Sequence, residues 1–199
     1  MAEPVDPRLA AAMTAIDQVH LGDPTSIEVE GVPRAHELAH AEAVTAWVRL
    51  LDPAATDLQV LVARASHLRR WERPRSDYPD GRAGYLRWRK AAAASHAEEV
   101  AALLAGAGYD GDEIDEVQRL IRKEGRGVVS GAQTHEDALC LAFLTVDVDA
   151  FLGRHGPERA ASVLAKTAGK MSDRALVLAG QLRLSDPVQA LVAQALPSP

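Results

Sequence analysis

Between Pro33 and Pro53, the residues Leu38, Val44, Trp47, Val48 and Leu51 recur at helical spacing and make one apolar stripe on a helix from about Arg34 to Leu51. The same period, interrupted by Pro and Gly, runs through the rest of the chain, and no alternating stretch is long enough to build a sheet on. The pattern predicts an all-α, single-domain helical bundle over residues 1–199, with its recognisable core at about 10–185. Asp6-Pro7 opens the first helix, which runs to Val19 or His20, because proline at the first helical position loses no needed N–H. Residues 25–33 hold Ile27, Val29 and Val32 in alternation but read as a loop. A third helix, capped by Thr56 or Asp57, carries Leu58, Leu61, Val62 and Ala65 and reaches into His67 and Trp71. Pro74, Pro79, Gly81 and Gly84 make 73–84 a long connecting loop.

Helix four is predicted from about Leu86 to Ala105, stopped by Gly106 and Gly108, and helix five from Glu113 to about Lys123 behind an Asp112 cap. Helix six, from near Thr134 to about Leu152, has apolar residues on more than one face and should be the buried centre. Pro157 and then Ser172 or Asp173 start two further helices, and 196–199 should fray.

Charge is unevenly spread over this frame. Ala63 to Lys90 holds nine of the 22 Lys and Arg and three of the 28 Asp and Glu, so it carries +6 while the remainder carries −12. Two of three Trp (Trp71, Trp88) and two of three Tyr (Tyr78, Tyr85) also lie there. Guanidinium groups bind phosphate or carboxylate in bidentate fashion. The island therefore reads either as a site for a small anionic or phosphorylated molecule or as a solvated loop paired with acidic helices. In the first reading the loop folds over a histidine-lined cavity, Arg70, Arg75, Arg82, Arg87 and Arg89 clamp the anion, and Tyr85 and Trp88 stack on a ring or pack the loop. A net charge of −6 argues against general nucleic-acid binding. The lone Cys140 excludes an internal disulfide and fits a cytoplasmic setting, and no signal peptide or membrane-spanning stretch is evident.

His36 and His40 lie one helical turn apart and share a face with Glu37, His67 ends the third helix, His96 lies inside the fourth, and Asp137 sits near the start of the sixth. Each alone reads as a satisfied polar residue. Together they alternate with helices, as metal ligands do in helical bundles, and imidazole with carboxylate does not choose among zinc, iron, manganese and nickel. His20, His135 and His155, near helix ends, receive no role.

The order His40, His67, His96, Asp137 resembles the HD-domain superfamily of metal-dependent phosphohydrolases. HLRRWERPRSDYPDGRAGYLRWR at 67–89, LIRKE at 120–124, EDALCLAFL at 136–144 and KTAGKMS at 166–172 resemble an uncharacterised bacterial family, a domain of unknown function. The second resemblance implies no activity. The first implies an HD-like fold, a divalent metal ion of unspecified identity and hydrolysis of a small, nucleotide-like phosphorylated compound. Leu68 stands where the superfamily has a metal-binding Asp, and Lys123-Glu124 where many relatives carry a His pair. What the resemblance leaves is a single ion on His67, His96 and Asp137, completed by Glu37, His40 or Glu124, with Lys123 and Glu124 as catalytic candidates. A degenerate scaffold that binds an anion or regulates is the alternative, with Lys123 supplying fixed positive charge. An HD-type iron oxygenase is a further one, weakened by the shortage of carboxylates.

Overall fold

The computed structural model describes residues 6–29, 31–124 and 131–195. Among them are ten α-helices: α1 Pro7–His20, α2 His36–Leu51, α3 Asp57–Arg64, α4 Gly81–Gly106, α5 Gly111–Arg122, α6 Ala132–Ala142, α7 Val148–His155, α8 Pro157–Ala168, α9 Asp173–Gly180 and α10 Asp186–Ala195. The fold is all-α, and α2 packs against both α3 and α6.

Two apolar clusters form the interior. Leu9, Ala12 and Ile16 of α1 meet Val60, Leu61 and Val62 of α3, Val100 and Leu104 of α4, and Val117 and Leu120 of α5. Val44, Val48 and Leu51 of α2 meet Leu141 of α6, Leu164 of α8, Ala175 of α9 and Val192 of α10. α3 feeds both, since its Ala63 belongs to the second cluster. Burying each Leu, Ile or Val side chain stabilises the fold by about 1.5–3 kcal/mol.

Helix starts follow the sequence signals. Asp6 accepts the Arg8 N–H at the head of α1, and Thr56 with Gln59 forms a capping box on α3. On α5 the box is Asp110 with Glu113, two residues ahead of the expected Asp112.

Several expectations need correction. Residues 25–33 are not a plain loop: β1 (Ser26–Val29) and β2 (Val32–Ala35) pair antiparallel, with Ser26 opposite Ala35 and Val29 opposite Val32. Gly31 at φ +78° closes the turn. Such a ribbon is marginal alone. Here its base is tied to α2, because His36 N donates to Thr25 O at 2.9 Å. The connection after α3 is shifted from the expected 73–84 to 65–80, for α4 already starts at Gly81, before Leu86. α3 stops at Arg64 instead of reaching His67, and α10 was missed. The expected sixth helix is broken into α6 and α7 by a π turn, Phe143–Asp147. The expected fraying of 196–199 lies outside the described residues.

Candidate functional site

Ala35, at the N-cap of α2, has no side chain to satisfy the helix's first N–H groups. Asp23 does so from a distance: its Oδ2 accepts Glu37 N at 2.9 Å and its Oδ1 accepts Thr25 N at 2.8 Å. Negative charge suits a helix N-terminus. The first turn of α2 is thereby pinned, with Glu37 buried and His40 one turn beyond His36.

The opposing wall is the π turn. Val148 N donates to Phe143 O, five residues back, and the Thr145 hydroxyl donates to Leu141 O at 3.0 Å. Asp147, the last residue of this turn, bonds both imidazoles of α2. His36 Nε2 lies 2.6 Å from its Oδ1 and His40 Nδ1 2.9 Å from its Oδ2. Burial works to raise the Asp147 pKa, but the two histidine bonds outweigh it and hold the carboxyl well below the usual range. The Asp147 bond in turn raises the His36 pKa.

The second nitrogen of His36 faces two more carboxylates. Nδ1 lies 4.0 Å from Asp23 Oδ2 and 3.9 Å from Glu37 Oε1. One ligand atom from each of Asp23, His36 and Glu37 falls within 4.8 Å of the others. Burial pushes the Glu37 carboxyl up to about 7. Glu37 Oε2 and His40 Nε2 are buried without a hydrogen-bond partner. Orphaned acceptors beside two carboxylates and an imidazole fit a divalent cation, and a carboxylate on the far nitrogen of a ligating histidine is the usual orienting partner.

His67 and Arg70 close the cluster. His67 adopts a left-handed backbone at φ +62°, and so does Arg69 at +50°. Such conformations are costly away from glycine and collect at functional sites. The His67 ring stacks on His40 at 4.4 Å between centroids, and its Nδ1 stands 3.4 Å from Glu37 Oε2. Arg70 Nη1 donates to His67 Nε2. A guanidinium has no acceptor, so His67 is neutral there with its proton on Nδ1. Burial, then the Arg70 charge, holds the His67 pKa well below its ordinary value. Arg70 itself lies over the Trp88 ring, 4.7 Å from the centroid.

The expected ligand set is thus rearranged. Glu37 and His40 stand in the cluster. His67 touches it, but Arg70 already occupies its Nε2. His96 Nδ1 bonds Leu68 O at 2.5 Å, beneath the same turn, with its pKa lowered by burial to about 4. Asp137 is committed elsewhere: it accepts from Ser172 Oγ at 2.6 Å, Ser172 N at 2.8 Å and Gln133 Nε2 at 2.9 Å, tying α6 to the start of α9. Lys123 pairs with Glu136, and Glu124 is exposed after α5. Arg75 donates to Tyr78 O at 2.7 Å and Pro79 O at 2.9 Å, stitching its own turn together. Arg82 and Arg87 are exposed. Arg89 lies 5.8 Å from the Tyr85 centroid, and Trp88 Nε1 donates to Arg73 O at 2.9 Å.

Sequence reasoning missed Asp23 and Asp147 and left His36 without a committed role. The four-residue step from His36 to His40 was a signal for the last. Asp147 gave none, because the π turn breaks the helical phase that would assign it a face. Asp23 acts across the unforeseen hairpin.

The model of a family described as a domain of unknown function (DUF4202) matches residues 10–192. No curated protein and no solved structure matches the chain. Among the described residues, no helix is long and apolar enough to cross a membrane.

Proposed function

The chain belongs to the DUF4202 family, whose description assigns no activity, and from the site's geometry we propose that it is a metal-dependent phosphohydrolase acting on a small phosphorylated compound. The observation that carries this reading is the convergence of Asp23, His36 and Glu37 within 4.8 Å, with Asp147 bonded to the far nitrogen of His36. These three residues would hold one divalent ion. Imidazole and carboxylate together suit manganese, zinc or ferrous iron. Such an ion would supply Lewis acidity toward a phosphoryl oxygen and a bound water of lowered pKa.

The chain's own groups do the rest. Asp147 fixes the His36 ring so that Nδ1 faces the carboxylates. In the metal-free chain burial raises the Glu37 carboxyl to about 7, so an incoming cation would displace its proton near neutrality. Arg70 brings a fixed positive charge to the edge of the cluster, where Glu37 and Asp147 act on it electrostatically. The His36 and His67 side chains are each 25 % exposed, which leaves a small ligand a way in. The single buried thiol, Cys140, fits a cytoplasmic setting.

A second reading, an anion-binding module without turnover, is favoured by one observation: Arg70 already stands as a cation at His67. Two measurements separate them. Calorimetric titration of chelator-treated protein with Mn²⁺ should give one ion per chain, weakened by about 10–100-fold or more in His36→Gln and Glu37→Gln. Hydrolysis of p-nitrophenyl phosphate should then depend on added Mn²⁺. A chain that takes up no metal, or takes it up equally in both variants, overturns the metal-dependent reading. Metal uptake without turnover supports the module.

A further inference from the structure

Three guanidinium groups stand at and just after the end of α3, and they differ in what they hold. Arg64 grips Asp17 with Nε at 2.5 Å and Nη2 at 2.7 Å. Arg69 pairs with Glu72 at 2.9 Å and with Glu99 at 3.0 Å. Arg70 pairs with no carboxylate among the described residues. Its side chain makes one hydrogen bond to them, from Nη1 to His67 Nε2, which leaves the Nε and Nη2 edge of the fork without a partner. The residue is half-buried, yet neither of these two atoms is sealed from solvent.

This fork is held in place. It lies over the Trp88 ring at 4.7 Å from the centroid, and Trp88 is itself anchored by its Nε1 bond to Arg73 O at 2.9 Å. The turn that presents it runs through left-handed backbone at His67 and Arg69, a strain that persists only where the surroundings enforce it. A fixed cation partly removed from water and without a counter-charge is unfavourable unless an anion joins it. On the far side of the His67 ring, Nδ1 stands 3.4 Å from Glu37 Oε2, and Glu37 Oε1 lies 3.9 Å from His36 Nδ1. One imidazole thus separates the fork from the cluster of Asp23, His36 and Glu37.

We propose that the free edge of Arg70 binds a phosphoryl dianion beside that cluster. Nε–H and one Nη2–H donate to two of its oxygens, the bidentate geometry that a planar guanidinium offers and an ammonium group does not. Of the five guanidinium groups expected to clamp an anion, Arg75 serves carbonyls of its own turn and Arg82 and Arg87 are exposed, so the clamp narrows to the one beside the histidines. That the bound group is the one hydrolysed rests on the phosphohydrolase reading. That it binds does not.

The probe is inorganic phosphate, titrated calorimetrically into the full chain with chelator present. One anion per chain is expected. Arg70→Lys keeps the charge and loses the fork, and should weaken binding about tenfold or more. Arg82→Gln removes a charge outside the site and should leave affinity within about twofold. Nitrogen-15 spectra of the parent give a readout that needs no variant: the Arg70 Nε–H signal should move with added phosphate along the calorimetric curve, while that of Arg82 stays. If Arg70→Lys fails to fold, this titration decides. Absence of binding, a still Arg70 signal, unchanged affinity in Arg70→Lys, or equal losses in Arg70→Lys and Arg82→Gln overturns the proposal. Phosphate binding in a chain that takes up no Mn²⁺ supports it and removes the metal-dependent reading. Mn²⁺ uptake in a chain that binds no phosphate does the reverse.

Discussion

His36 Nε2 stands 2.6 Å from Asp147 Oδ1, a contact between residues 111 positions apart. It ties the start of α2 to the π turn and makes one carboxylate the common partner of two imidazoles. Asp147→Asn keeps the shape and removes the charge. Hydrogen bonds to charged groups contribute about 1.5–3 kcal/mol each. The variant should lose about 2 kcal/mol, or roughly 4–8 °C in melting temperature for a domain of this size. Mn²⁺ affinity should fall by about 10–100-fold. A variant that melts and binds like the parent shows that the carboxylate orients nothing.

Asp137 separates structure from chemistry. Its carboxylate accepts three hydrogen bonds that join α6 to α9. Asp137→Ala should destabilise the fold by about 3 kcal/mol, leaving donors unpaired, while Mn²⁺ affinity measured below the melting transition stays as it was. A selective loss of metal at unchanged stability would restore Asp137 as a ligand.

Arg70 sets the protonation pattern of His67. With the guanidinium donating to Nε2, the ring proton sits on Nδ1, opposite to the form that free imidazole prefers. Nitrogen-15 chemical shifts of the His67 ring in metal-free protein should show an unprotonated Nε2. In Arg70→Met they should shift toward the Nε2–H form. An Nε2–H signal in the parent protein would mean that Arg70 does not hold this ring.

Histidines held neutral in the folded chain make stability depend on pH, His20 and His135 outside the site and His67 and His96 at it. His20 is fully buried with Nε2 bonded to Arg64 O at 3.0 Å, and burial lowers its pKa. Burial lowers His135 to about 4. Both are neutral when folded, whereas the unfolded chain takes up protons near pH 6.5. Folding is therefore most favoured above that value, and stability is lost as pH falls from about 6.5 to about 4. His135 alone should account for about 2 kcal/mol between pH 7.5 and 5.0. Urea midpoints at the two values check this, and His135→Gln should narrow the difference by its own share, the other three rings supplying the rest. Equal midpoints in the parent would show that these rings charge freely in the folded chain.

The helices were legible because their signals are local. Pro7, Thr56 and Ser172 stand at helix starts as their chemistry requires. The apolar stripe of α2 lies in the core as its spacing predicts. The site was legible in part. Glu37 and His40 followed from sharing a helical face, but Asp137 was preferred to Asp147. The sequence around 137 is regular helix, whereas Asp147 depends on a hydrogen-bonding pattern five residues long that no periodicity announces. The charge island was visible as a count. What a count could not resolve is that Arg75 serves carbonyls of its own turn, and that Arg69 pairs with Glu72 and Glu99. Side-chain partners set by the turns after α3 have no one-dimensional signature.

The π turn couples the site to the scaffold. Such a turn accommodates one residue more than an α-helix needs, and each helical residue turns the direction of a side chain by about 100°. Removing one residue from 143–147 would let α6 and α7 fuse into one regular rod, while the carboxylate of Asp147 swung away from both imidazoles. The same deletion would turn Val148 out of the core through the same angle, so one turn sets both the geometry of the site and the packing of α7.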